Sequence, residues 1–200
     1  MSEPVGDCYS AGERRWMVAT QRVRGAALDP LLRLCERVGV TPDHVTLASL
    51  AAGLAFWPLW TSSPAAALAA LFLHVALDGV DGPLARHTGV ASRRGSFTDT
   101  LCDQAVVTAS TIALMSSGKL GVVPGALYVY VYAVVVAFAM VRNSLEIPYA
   151  WLVRPRLVVY GWIAVEVAWA PGWLDALVWA SAGVLTLKML SGFWRLRARL

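Results

Sequence analysis

Charge is what this sequence has least of. Of its 200 residues only 15% are Asp, Glu, Lys or Arg, against about a quarter in an ordinary soluble domain. That scarcity excludes a water-facing surface over most of the chain. Cysteine is scarcer still. Cys8, Cys35 and Cys102 are scattered and odd in number, so they make neither a disulfide framework nor a zinc spacing and read as small apolar fillers. The first 12 residues are polar and lack the apolar stretch of a cleavable leader. A net charge of +4 invites nucleic acid as a partner. The basic residues, however, fall in short loops between apolar runs, which marks topology and leaves no nucleic-acid partner. No internal repeat is visible, and the matched broken helices of an inverted-repeat transporter are missing.

What fills the chain is hydrophobic residue, 58% of it, in runs that each approach the roughly 20 residues needed to span a bilayer. The expected fold is an all-α membrane protein with six transmembrane helices, at 44–61, 64–87, 97–117, 121–143, 154–170 and 173–194, after an N-terminal interfacial helix. Ser62-Ser63-Pro64, Ser116-Ser117-Gly118, Pro124-Gly125 and Pro171-Gly172 punctuate the joints. The expected domains are a disordered 1–12, a juxtamembrane amphipathic helix in 13–40, and a six-helix unit over 41–200. Asp29-Pro30 reads as a helix start, with an Asp cap and Pro in the first turn. Leu28, Leu31, Leu32, Cys35 and Val38 then form one stripe opposite Arg33, Glu36 and Arg37, an interfacial pattern. Gly39 breaks that helix.

Lys and Arg set the orientation. They crowd the N-terminal segment, the second-to-third and fourth-to-fifth connections and the C-terminus, while Lys119 alone lies on the opposite side and Lys188 falls inside the last span. By the positive-inside rule both termini are cytoplasmic. Trp57, Trp60, Trp169 and Trp173 mark the far interface, Trp16 and Trp194 the near one.

Against that background one polar string stands out. It runs Asp78-Gly-Val-Asp81-Gly82-Pro83-Leu-Ala85-Arg86, then eight residues, then Gly95-Ser-Phe-Thr-Asp99-Thr-Leu-Cys-Asp103. One carboxylate near a bilayer centre costs about 2.5–3.5 kcal/mol, so four cost on the order of 10 kcal/mol unless their charge is cancelled. Asp78, Asp81, Gly82 and Ala85 are spaced i, i+3, i+4, i+7 and share a helix face; Gly95, Asp99 and Asp103, at i, i+4, i+8, share a face of the next helix. Two adjacent antiparallel helices then aim four carboxylates at one pocket. Like charges that close need cations. Two divalent ions balance them and still bind an anion, and magnesium leaves positions open for phosphate. Gly82 and Ala85 leave room for a bulky flat group, and Arg86 suits phosphate. Phosphoryl-type transfer at such a site needs alignment, charge neutralisation and a base. Asp103, at the far end of the second array, is the candidate base on order alone. Each half by itself has a plainer explanation, a capped turn or a solvated helix face. Pro83 removes a helical hydrogen bond, and a kink there would turn Ala85 and Arg86 away from Asp78.

The whole string resembles the signature of the CDP-alcohol phosphotransferase family, D-x2-D-G-x2-A-R-x8-G-x3-D-x3-D, with every fixed position present. The segment Gly39-Val-Thr41-Pro42-Asp43-His44-Val-Thr46 also looks like the family's entry into its first span. The resemblance implies six membrane helices, a dimer, and transfer of a phospho-alcohol from a CDP-activated group to a second alcohol with release of CMP. It implies that Asp78, Asp81, Asp99 and Asp103 bind two Mg2+ ions, or Mn2+, with Asp103 also accepting the proton. Gly82, Ala85, Arg86 and Gly95 would shape the nucleotide site. Ser92 and the stretch Thr41, Pro42, Asp43 and His44 match substrate-contacting positions of the prokaryotic phosphatidylinositol-phosphate synthase-like branch. Gln104 departs from the basic residue common after the last aspartate, and Pro83-Leu84 points to no subfamily.

Two pairings are open. CDP-diacylglycerol, or a similar CDP-lipid, donates to a small polar alcohol, the pairing favoured by the short chain and Thr41-Pro42-Asp43. Alternatively a CDP-linked small alcohol donates to a lipid alcohol. A phosphorylated acceptor needs cations of its own: Arg142, Arg154, Arg156, Arg94, Lys188 and Arg195 are candidates, each also explained by topology and headgroup anchoring. Lys188 is the best of them because a lysine inside a span is costly; Glu166 is similar but is also explained by pairing with another polar group. His74, His87 and Glu146 carry no pattern. A membrane prenyltransferase would show a paired D-D-x-x-D cluster, which is absent. A transporter would use its intramembrane acids as an ion path. The expected place is a prokaryotic cell membrane, with the aspartates at its cytoplasmic edge.

Overall fold

The computed structural model describes residues 28–150 and 154–199, and among them it contains seven helices and no strand. Helix α1 occupies 28–37. It is followed by α2 (Pro42–Ser62), α3 (Pro64–His87), α4 (Arg93–Ser116), α5 (Val122–Ser144), α6 (Arg156–Trp169) and α7 (Leu174–Arg197). Local chemistry starts several of them. Thr41 caps α2 with a capping box: its Oγ1 accepts from the His44 N–H at 3.3 Å, and the His44 ring nitrogen Nδ1 accepts from the Thr41 N–H at 3.3 Å. Ser63 caps α3 through Ala66, and Ser92 caps α4 through Gly95. Gly39 and Gly89 take φ of +72° and +73°, a left-handed conformation that favours glycine and that separates α1 from α2 and α3 from α4.

Four helices, α2, α3, α5 and α7, are long and apolar enough to cross a membrane, the make-up of an integral membrane protein. The other two expected spans form helices of a different kind. Helix α4 begins at Arg93 rather than 97 and carries Arg93, Arg94, Asp99 and Asp103, which lowers its hydropathy. Helix α6 has 14 residues, about 21 Å at 1.5 Å per residue, against a hydrocarbon core of about 30 Å.

Helix α2 lies along α3 and α4, and α5 lies along α7, with α6 touching both α3 and α7. Phe56 of α2, Leu71 of α3, Val106 of α4, Tyr128 of α5, Ile163 of α6 and Val178 of α7 meet in one buried core. Outward positions such as Leu47, Phe72, Val123 and Leu187 are apolar and exposed, a surface suited to lipid. Close approach of α2, α3 and α4 depends on Gly53. A Cβ there would overlap Val106 and stand 3.1 Å from the His74 ring.

The α1 stripe is narrower than expected. Leu28, Leu32 and Cys35 pack with Val45 and Leu84, whereas Leu31 and Val38 are exposed. Residue 28, the first described, is already helical, so the start of this helix, for which Asp29-Pro30 is the expectation, lies outside the described residues. Asp29 accepts from Arg33 Nε at 2.8 Å, and that guanidinium holds its carboxyl below the usual range. The segments 1–12 and 13–27, with Trp16 and Cys8, lie outside the described residues. Trp57, Trp169, Trp173 and Trp194 are exposed. Trp60 is not an interface anchor: it is buried, and its indole N–H donates to Ser117 Oγ at 2.8 Å. Glu166 finds the polar partner allowed for it, accepting from the Gly172 N–H at 2.7 Å.

Replacing Gly53 by alanine is expected to cost about 1–3 kcal/mol, the usual cost of overpacking. Thermal unfolding of the full chain in detergent should show a lowered midpoint; an unchanged midpoint would mean that α2 and α4 have slack at this level.

Candidate active site

The four motif aspartates sit on two neighbouring helices, Asp78 and Asp81 on α3, Asp99 and Asp103 on α4. Helical spacing puts each pair on one face, and the short turn around Gly89 brings the faces together. Helix α3 runs unbroken through Pro83 to His87, so the proline does not end the helix before Ala85 and Arg86. The Arg86 guanidinium folds back over Gly82, whose hypothetical Cβ would lie 3.4 Å from Arg86 Nη1.

Asp78, Asp99 and Asp103 each offer an oxygen, and the three oxygens lie within 4.8 Å of one another. Asp103 is buried, and its Oδ1 is without a hydrogen-bond partner. Closely spaced hard oxygen donors, one of them buried and unpartnered, fit a divalent cation of the Mg2+ or Mn2+ kind. Asp81 is arranged differently. Its Oδ2 accepts from Thr46 Oγ1 at 2.7 Å and its Oδ1 from the Gly82 N–H at 2.6 Å, so it stands outside that triplet while lying within electrostatic reach of Asp99.

Two residues join this cluster that no spacing pointed to. Arg156, the first residue of α6, is buried, and its Nη2 donates to Asp78 Oδ2 at 2.9 Å while its Nη1 pairs with Asp103 Oδ2. Sequence reading offers it among the cations for a phosphorylated acceptor, with topology as the plainer explanation. His74, one turn before Asp78, is also buried. Its Nδ1 lies 2.8 Å from Ser49 Oγ, and its Nε2 lies 3.8 Å from Asp103 Oδ1. Thr46 was visible as part of the entry segment but not as a partner of Asp81. Sequence separations of 35 and 78 residues leave no periodic trace.

The remaining predicted positions divide. Ser92 and Gly95 are joined by the α4 cap, with the Gly95 N–H donating to Ser92 Oγ at 3.1 Å. Ala85 is half-buried on α3. Thr41, Pro42, Asp43 and His44 form the first turn of α2, where Thr41 and His44 cap the helix and Asp43 is exposed. Among the acceptor candidates, Arg142 is buried and committed to the chain. Its Nε and Nη2 donate to the Ile147 and Pro148 carbonyls at 2.9 and 3.1 Å, and it stacks 3.7 Å over the Tyr149 ring. Lys188 is half-buried within electrostatic reach of Arg142 and of exposed Arg195. Arg154 is half-buried, two residues before Arg156. Gln104 is half-buried and both atoms of its amide lack partners.

Fold and site together describe a helical membrane protein with a carboxylate cluster built for cations. Residues 39–192 match the model of the CDP-alcohol phosphatidyltransferase family, and the chain belongs to that family. It is 43% identical over 70 residues to the archaetidylinositol phosphate synthase of Aeropyrum pernix, covering 34% of this chain and 36% of that protein. It is 38% identical over 80 residues to the phosphatidylinositol phosphate synthase of Mycobacterium marinum, covering 38% and 33%. The matches thus span about a third of the length of these relatives. Its fold is that of the Mycobacterium tuberculosis phosphatidylinositol phosphate synthase crystallised with CDP-DAG, with TM-score 0.69, 22% identity, and 86% of this chain and 92% of that one covered. A second structure of that enzyme, with manganese and citrate, gives TM-score 0.68 at 24% identity, covering 82% and 86%. Family membership removes the transporter and prenyltransferase readings.

Thr46→Val keeps the shape of the side chain and deletes the hydroxyl bonded to Asp81. With Asp81 taken as a further ligand, it is expected to weaken Mn2+ binding by about 10–100-fold, as loss of a ligand's supporting hydrogen bond does. Electron paramagnetic resonance titration of the full chain reads this, and Thr46→Ser should restore it. Equal affinity in Thr46→Val would reduce Thr46 to packing.

Proposed function

We propose that this chain is a metal-dependent CDP-alcohol phosphotransferase that moves a phosphatidyl group from CDP-diacylglycerol, or a similar CDP-lipid, to a small polar alcohol and releases CMP. The observation that carries the reading is the convergence of Asp78, Asp99 and Asp103 on one point in a chain of this family. The CDP-DAG found in the Mycobacterium tuberculosis relative supports the choice of donor, and the manganese in a second structure of it supports the choice of a divalent ion.

On this reading Asp78, Asp81, Asp99 and Asp103 hold two Mg2+ ions. Bound there, the ions neutralise the diphosphate and the charge that grows on it during transfer. The protein does the rest. Gly82, Ala85 and Gly95 leave space against the helix backbones for the nucleotide, and Arg86 and Ser92 line the same edge. The first turn of α2, Thr41 to His44, contacts the substrate on this reading. Asp103 Oδ1 takes the proton from the attacking hydroxyl; its burial without a hydrogen-bond partner leaves that atom able to do so. Burial also excludes water, which would otherwise hydrolyse the donor. If the acceptor bears a phosphate, Arg154, Lys188 and Arg195 are the cations to receive it, with Arg142 fixing the loop beside them.

The same reading takes α4 and α6 as the third and fifth of six spans, carried by residues 41–200 as one catalytic domain after an interfacial N-terminal helix. It places both termini and the aspartates on the cytoplasmic side of a prokaryotic membrane and the protein in a homodimer.

Purified protein supplied with Mg2+, CDP-diacylglycerol and a panel of polar alcohols is expected to release CMP only when an acceptor is present, and a chelator should stop it. Asp103→Asn should lower the rate by about 10²–10⁴-fold, the usual contribution of a positioned base. CMP release without any alcohol, or a fully active Asp103→Asn, would overturn the mechanism. Turnover only with a CDP-linked small alcohol and a lipid acceptor would reverse donor and acceptor.

A further inference from the structure

The metal reading leaves one buried charge unexplained. Arg156 is only 7% exposed, and its guanidinium spans Asp78 and Asp103, from opposite helices of the motif. Those are two of the three residues whose oxygens converge on one point. A guanidinium and a divalent ion therefore compete for the same carboxylates. We propose that Arg156 is a tethered counter-ion that holds the carboxylate cluster when no metal is bound and must release it for ions to load, so that it sets the metal affinity of the site. The inference rests on the metal reading above.

Charge arithmetic supports the exchange. Fully ionised, the four aspartates together with Arg156 carry −3, and two divalent ions bring that set to +1. Without ions, the arginine limits repulsion among like charges that would otherwise push the two helices apart. With ions, the same charge opposes further cation binding and favours an anion. A fork of two N–H groups suits this task because it bridges two carboxylates at once, which a lysine cannot do. Asp99, the third of these residues, stands outside the ion pairs of Arg156, so an entering ion has one carboxylate to bind before Arg156 withdraws.

The test is Mn2+ titration of the full chain in lipid nanodiscs without substrate, with free Mn2+ read by electron paramagnetic resonance. Arg156→Gln should bind Mn2+ at least about tenfold tighter than the native protein, the lower end of what groups around a metal site do to affinity. Arg156→Lys, which keeps the charge and loses the fork, should fall between the two. Equal or weaker binding in Arg156→Gln would overturn the proposal. Should that variant fail to fold, Arg156→Lys decides by the same criterion. Asp78→Asn/Asp103→Asn is the control. Native protein that binds no more Mn2+ than this double variant would remove the metal site itself and the proposal with it, a result distinct from native-like binding in Arg156→Gln.

Discussion

Carboxylates in an apolar helical frame must be neutralised, and most of what is unusual in this structure answers that demand. Asp78 and Asp103 share a guanidinium. Asp81 takes a hydroxyl from α2 and a backbone N–H. Asp103 lies beside a buried imidazole. Three different helices, α2, α3 and α6, thus send polar groups to acids that α3 and α4 contribute. An unpaired ion in such a setting costs several kcal/mol, so these contacts are as much conditions of folding as of chemistry. They leave the site poised between a protein-supplied positive charge and a metal-supplied one.

The packing serves the same end. Helix α2 approaches α3 and α4 closely because Gly53 has no side chain to hold them apart. That approach is what lets Ser49 reach His74 and Thr46 reach Asp81, at 2.8 and 2.7 Å. On the opposite side the connections are tied by single polar bonds: Trp60 to Ser117, Gly121 to Asp175, and Gly172 to Glu166. The acids Asp175 and Glu166 accept from backbone N–H groups that a turn would otherwise leave unsatisfied. Among the described residues, only the cluster between α3 and α4 concentrates acids.

How much of this is written in the sequence depends on distance along the chain. The faces of α3 and α4 follow from spacings of three and four residues, and the helix boundaries follow from Thr41-Pro42, Ser63-Pro64 and Gly39, all local signals. Asp29-Pro30 cannot be followed the same way: the start of its helix lies outside the described residues, and Asp29 pairs with Arg33. Helix α4 hides its first turn because Arg93 and Arg94 suppress the apolar signal. Arg156 is the larger loss. In sequence it stands beside Arg154 in a basic connection and is fully explained by topology. Only folding shows that its partners lie 78 and 53 residues upstream (156 minus 78 and 156 minus 103). Tertiary ion pairs have no period, so no window along the chain reveals them.

The position of Arg156 within its own helix completes the electrostatic account. It is the first residue of α6, the end where the helix dipole is positive and where a cation is disfavoured by a few tenths to about 1 kcal/mol. No side chain caps that end. A cation at an uncapped, positively poled terminus is sensible only opposite concentrated negative charge, and that is where α6 begins. The helix end and the guanidinium thus act in the same direction on Asp78 and Asp103. Helix α6, too short to span the hydrocarbon core unaided, is placed by that attraction at its first turn and by apolar contacts of Val159 and Ile163 further along. The acids that make the site therefore also fix where α6 starts.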